Sequence, residues 1–333
     1  MFYTILILLF LIITGIIAYL ATLEGNYDIR RSKLIKTDID AAFNKIRDFR
    51  SWADWSPWIV HEPDTQLEFS DNCTEEGGFY TWDGKRVGAG KLTHVKFEQP
   101  HGIEQRIEFI RPFKSVCQVA FEFAEKDGQT EVTWTMHGKM PFLFRFMTKK
   151  TAEMISKDYD LGLAMLAGQL DPTTEYPVLD FQGEATLEPM YSLCEGFEGE
   201  EQEMETAMKA GFPKLMSYIE QNSGQICGSP YTAYHKVNLK TMYFVCDMAI
   251  PVGEGINAGE YQLKTLGGGR YYKVGLKGSY DFMELAWYSA MAHARMLKFK
   301  VDKNRPSLEI YANDPEKVES SNELQTMLYV PIK

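Results

Sequence analysis

From Phe2 to Leu23 the chain runs FYTILILLFLIITGIIAYLATL without one charged side chain. At about 1.5 Å of rise per helical residue, that run matches the roughly 30 Å hydrocarbon layer of a bilayer. An apolar surface on every face over this length predicts a transmembrane helix, so residues 1–25 are read as an anchor that contacts lipid through residues 2–23. A cleaved secretory signal is the rival, but no basic stretch precedes the run and no clean A-x-A site lies near Ala18 or Ala21. Arg30, Arg31, Lys33 and Lys36 follow the span, so the positive-inside tendency places the remaining chain on the cytoplasmic side.

The pattern then changes. Residues 27–36 predict a strand, and Ile39, Phe43, Ile46 and Phe49 recur at helical spacing behind Asp38. Val119, Phe121 and Phe123 alternate with Ala120 and Glu122, and Val132, Trp134 and Met136 alternate with Thr133 and Thr135, which predicts two half-buried strands. The Lys126-Asp-Gly-Gln129 stretch between them predicts a hairpin. Further strands are predicted over 66–70, 78–82, 88–97 and 103–110. Residues 144–170 carry Met147, Met154, Ile155, Leu161, Met165 and Leu166 on one stripe, the spacing of a long helix laid over a sheet.

A Pro- and Thr-rich segment, DPTTEYPVLD, follows, and residues 174–182 are read as a linker between a module at 26–173 and another at 183–333. The second module repeats itself as strand, helix, strand, strand. An acidic helix is predicted from about Glu200 to Gln221 and a second from Asp281 to Phe299. The tails TMYFV (241–245) and TMLYV (326–330) look like matched ends of the two halves. Such a duplication predicts one pseudo-twofold sheet with two helices on one face and a groove along the axis. The fold class is therefore α+β.

Composition narrows the function. The net charge is −11, which disfavours a nucleic-acid partner. Twelve acidic residues against two lysines between Asp171 and Gly228 supply most of that charge, a solvated helix face or an attractor of cationic ligands. Five scattered cysteines without a C-x-x-C pair, and histidines without H-x-H or H-x-x-x-H spacing, predict neither a disulfide framework, a metal site nor a cofactor. Gly267 to Gly269 lack the Lys-Ser/Thr of a phosphate loop and are read as a hairpin between Leu266 and Arg270.

The opening strand, the Trp52-x-x-Trp55-Ser-Pro57-Trp58 cluster and the Asp158-x-x-x-Gly162-Leu163-x-x-Leu166 run resemble the START-like helix-grip superfamily (SRPBCC), in its polyketide cyclase/dehydrase branch. The resemblance implies a lipophilic cavity between sheet and helix. It does not imply cyclase chemistry, because members are mostly binders or carriers. Trp82, Phe109, Phe123, Trp134, Met147 and Met154 are candidates to meet a ligand, each weighed against core packing. Trp52, Trp55 and Trp58 are read as packing between the early helices and the sheet.

Lys264-Thr-Leu with Gly269-Arg-Tyr, Lys277-Gly-Ser-Tyr280-Asp, Pro306-Ser-Leu-Glu309-Ile-Tyr311-x-Asn-Asp-Pro315 and Glu323-Leu-x-Thr-x-Leu-Tyr-Val-Pro331 resemble the GyrI-like family, a duplicated SHS2-type effector-binding domain. The resemblance implies an acidic residue in an aromatic groove, and Glu309 matches that position with Thr232 as its repeat counterpart. Tyr234, Tyr243, Tyr272, Trp287 and Tyr311 are the aromatics expected to wall the groove, able to stack on flat rings or a cation. The implied function is binding of lipophilic or cationic aromatic compounds by a membrane-tethered protein. The alternatives are a hydrolase with Glu309 as general base and a tyrosine as proton donor, and a regulatory protein-interaction module.

Overall fold

The computed structural model describes residues 2–333, and the chain divides into two compact units, 1–174 and 175–333. The first begins with α1 (Phe2–Thr22), a helix long and apolar enough to cross a membrane, with nearly all its side chains exposed.

Three residues later starts β1 (Asn26–Ile35), the edge of a seven-stranded antiparallel sheet. The other strands are β2 (Gln66–Phe69), β3 (Phe79–Gly84), β4 (Gly88–Glu98), β5 (Gly102–Arg111), β6 (Ser115–Lys126) and β7 (Gln129–Lys139), in the order β1-β7-β6-β5-β4-β3-β2. Helix α2 (Ile39–Arg47) starts where Asp38 caps the Ala41 amide at 2.8 Å, and it buries Ile39, Ala42, Phe43 and Ile46. Helix α3 (Pro57–His61) follows a 3₁₀ turn at Phe49–Asp54. A second 3₁₀ turn, Phe142–Met147, leads into the long α4 (Thr148–Leu170). Only the second half of α4 is deeply buried, from Ser156 to Gly168. Gly162 permits this approach: a Cβ there would lie 3.0 Å from the Trp134 ring and 3.1 Å from Pro57. Sheet and helix together form the expected helix grip.

The second unit holds β8 (Val178–Glu200), α5 (Glu201–Gln221), β9 (Tyr231–Asn238), β10 (Tyr243–Pro251), β11 (Gln262–Lys277), α6 (Met283–Met296), β12 (Ser307–Tyr311) and β13 (Gln325–Pro331). The strands do not stop at an open sheet. They close into a six-stranded barrel, β10-β8-β11-β13-β12-β9, because β9 pairs with both β10 and β12 and leaves no free edge. Helix α5 packs on β8 and β10, and α6 on β11 and β13, as a duplication requires.

Three expectations are corrected here. The segment read as a linker, 174–182, is strand from Val178 onward, since Val178 to Phe181 pair with β11. Gly267 to Gly269 form no hairpin: they sit inside β11 with positive φ, where the strand bends past Pro189 and a Cβ on Gly268 would meet that proline at 2.9 Å. The two TM-x-x-V tails are not equivalent. With Tyr231 set against Leu308, the strand partners are Ala249 and Tyr329, so Ala249-Ile-Pro251 rather than Tyr243-Phe-Val245 corresponds to Tyr329-Val-Pro331.

Candidate functional site

Glu309 sits on β12 opposite Thr232 of β9, and only 4% of it is exposed. The Trp287 indole N–H of α6 donates to Oε1 at 2.5 Å. The hydroxyls of Tyr234 and Tyr311 donate to Oε2 at 3.0 and 2.9 Å. Tyr311 gives its one proton to the carboxylate, so the Thr232 hydroxyl, 2.9 Å away, donates to Tyr311. Rings enclose this network: Phe212 of α5 and Tyr280 stand edge-on to Tyr311, and Tyr234 is edge-on to Phe244 and Trp287.

Burial pushes the Glu309 carboxyl above its ordinary range, while the bonds from Trp287, Tyr311 and Tyr234 pull it down without prevailing. Burial, with Glu309 close by, likewise drives Tyr234 and Tyr311 well above the ordinary phenol range. Every one of these donors is neutral, and Glu309 forms no ion pair among the described residues.

Asp247 on β10 is the contrast. It is 3% exposed, yet His235 Nε2 lies 2.8 Å from Oδ2 and Lys264 donates to Oδ1 at 2.7 Å. Burial pushes its carboxyl up, but His235 and Lys264 outweigh that and hold it below the ordinary range. Lys264 sets a cation against this carboxylate, whereas the donors that meet Glu309 are all neutral.

Of the candidate groove aromatics, the structure brings Tyr234, Trp287 and Tyr311 onto Glu309. It sends two elsewhere. Tyr243 is exposed and donates to Glu198 at 3.2 Å, and Tyr272 is fully buried against His293 and Phe299. Thr232, Phe212, Phe244 and Tyr280 complete the site without having been expected there as ligand-facing groups.

The helix-grip unit contains a cavity of about 230 Å³ between sheet and α4. Of the candidates for meeting a ligand, Trp82, Phe109 and Trp134 line it. Trp52 and Trp58 also line it while packing edge-on against Trp134, so the tryptophan cluster is wall and core at once. Tyr27, Tyr80, Arg111, Ile155 and Tyr159 add to the wall. Phe123 instead packs against Phe43 in the core, and Met147 and Met154 are exposed, because Met147 ends the 3₁₀ turn and Met154 lies in the first half of α4, ahead of its deeply buried part. Within the wall, the Tyr159 hydroxyl, the Trp134 indole N–H and the Ser56 hydroxyl are buried without a hydrogen-bond partner among the described residues.

Residues 27–171 match the family model for polyketide cyclase/dehydrase and lipid transport, and residues 192–333 match that of the GyrI-like small molecule binding domain. A polyketide cyclase-type domain precedes a GyrI-like domain. Both families bind small molecules. No curated protein matches the chain. Among solved structures, the EcmrR C-terminal domain is similar at 16% identity, covering 48% of this chain and 98% of its own, with a TM-score of 0.40. Protein CV1439 from Chromobacterium violaceum is similar at 10% identity over 44% of this chain and 97% of its own, with a TM-score of 0.34. CalU16 from Micromonospora echinospora is similar at 11% identity over 44% and 85%, with a TM-score of 0.31.

Proposed function

We propose that the chain is a membrane-anchored small-molecule-binding protein, held by residues 2–23 with both domains on the cytoplasmic side. The GyrI-like domain takes cationic aromatic or lipophilic compounds at Glu309, and the polyketide cyclase-type domain takes a compact apolar molecule in its cavity. The observation that carries this reading is the setting of Glu309: a buried carboxyl group with three neutral donors, rings on its flanks and no cation beside it among the described residues. Dipoles satisfy its lone pairs but leave its net charge, and a flat cation supplies both the missing charge and a face for the rings. The acidic run at the start of α5 (Glu200, Glu201, Glu203, Glu205) favours approach of such ligands.

The cavity supports its half by size and chemistry. It exceeds the roughly 150 Å³ of a dry engineered cavity that admits benzene. A thermal-shift screen of the full chain in micelles, with tetraphenylphosphonium for the groove and naphthalene for the cavity, tests the reading. Stabilisation that grows with concentration is expected, and no shift with either probe would contradict binding.

A second reading has one observation in its favour. The Glu309 carboxyl is raised by burial, the direction that suits a general base, and the Tyr311 hydroxyl lies 2.9 Å away as a proton donor. Hydrolysis of a bound electrophile that disappears in Glu309→Gln while binding persists would establish it, and unchanged hydrolysis would remove Glu309 from the role.

A further inference from the structure

The turn between β7 and α4 reads Phe142-Leu-Phe-Arg-Phe-Met147, and none of these residues is buried. Leu143 is 66% and Phe146 60% exposed, with Phe142, Phe144, Met147 and neighbouring Phe113 also open. A contiguous apolar patch of this kind marks a contact surface. Its position says with what. The Met140 amide donates to the Gly25 carbonyl at 2.7 Å, and the Arg145 guanidinium reaches the Leu23 carbonyl at 3.5 Å. The turn therefore lies against the segment where α1 ends. Lys149 and Lys150 follow it, both exposed, as basic residues suited to anionic headgroups.

The same patch adjoins the cavity. Phe113 lines the cavity and stacks on Phe144, 5.4 Å between centroids and 13° from parallel. Met140 and Thr151, on either side of the turn, line it too.

We propose that the Phe142–Met147 turn, with Phe113, docks into the bilayer interface beside α1, so that the cavity adjoins the membrane and receives apolar molecules dissolved in it. The proposal rests on α1 being a membrane anchor and adds a second lipid contact to it. Lipid is the occupant the geometry favours, because a span ending at Thr22 leaves only three residues before β1 and holds the turn at the headgroup level.

The test uses the full chain with Cys227, its one exposed cysteine, replaced by serine. An environment-sensitive fluorophore is attached at Leu143→Cys, at Ile12→Cys in α1, or at Glu125→Cys, which lies about 30 Å along the β6–β7 ladder at roughly 3.4 Å per residue. Each is reconstituted in phosphatidylcholine/phosphatidylglycerol vesicles containing doxyl-labelled lipid. The expected result is strong quenching at 12 and 143 and little at 125. Quenching at 12 without 143 would overturn the docked turn and leave the anchor standing. Quenching at 143 without 12 would remove the anchor and overturn docking beside α1, leaving only a lipid contact of the turn itself. Protection of 143 from both doxyl lipid and aqueous iodide would mean that protein covers it, and would overturn the proposal.

Discussion

The ring of Tyr159 lies flat on that of Trp134, 3.8 Å between centroids and 9° from parallel, and neither the phenol O–H nor the indole N–H beside this stack has a hydrogen-bond partner among the described residues. An aromatic stack that keeps two buried donors unsatisfied costs stability, and a ligand with an acceptor at that end of the cavity recovers it. Tyr159→Phe is expected to leave the unliganded chain as stable or raise it by about 1 kcal/mol, because the stack survives and the orphaned hydroxyl goes. Thermal unfolding in micelles checks this. A loss of 2 kcal/mol or more, by the rough cost of breaking a buried hydrogen bond, would mean that the hydroxyl is bonded.

His94 carries the clearest pH dependence. Its ring stacks on Phe49 at 3.8 Å, its Nε2 lies 2.9 Å from the Arg47 carbonyl, and burial pushes its pKa down to about 4. The folded state therefore keeps it neutral, while the unfolded chain takes up a proton below about pH 6.5. Stability from this residue is complete above pH 6.5 and is lost progressively as pH falls to 4, by up to about 3 kcal/mol. Urea titrations at several pH values should show His94→Gln, though weaker at neutral pH, losing less over that window than the parent. Parallel slopes would contradict the assignment.

Gly162 lets α4 seat on the sheet, so Gly162→Val is expected to destabilise the first unit by about 2 kcal/mol or more through overpacking against Trp134 and Pro57. Circular dichroism melts would register this as a lowered midpoint. A variant melting at the parental temperature would show that the helix can shift at little cost.

At the barrel's internal ion pair, Lys264→Met takes from the buried Asp247 its one lysine or arginine partner among the described residues and leaves it the hydrogen bond to His235. The expected cost is about 3 kcal/mol, since a buried charge stripped of a partner is penalised more than the pair was worth. Denaturant titration measures it. A cost below roughly 1 kcal/mol would place Asp247 among surface-type pairs.

Much of this architecture was legible in the residues because alternation and helical spacing report which face is apolar. The strands of the first sheet and the order of the second unit follow from it. Periodicity does not report what covers that face. Met147 and Met154 share the stripe of Leu161 and Leu166, but the start of α4 is open while its end is gripped. The spacing of Trp52 and Trp58 points to packing, yet one ring can pack on its edge and wall a cavity with its face.

Glu309 stood out as an acid between apolar strand neighbours. Asp247, in the run Val245-Cys-Asp-Met-Ala-Ile250, gives the same signal; only its partners His235 and Lys264 set it apart from Glu309, whose donors are neutral. Barrel closure was not legible either, because it depends on β9 finding β12 across the duplication.

On the proposed function, Glu309 supplies the negative charge that a cationic guest neutralises. Isothermal titration of tetraphenylphosphonium into the full chain and into Glu309→Gln tests it most directly. Glu309→Gln is expected to bind roughly ten- to a hundredfold more weakly, as loss of an interaction with a charged group worth about 1.5–3 kcal/mol requires. Equal affinities for the two proteins would contradict it.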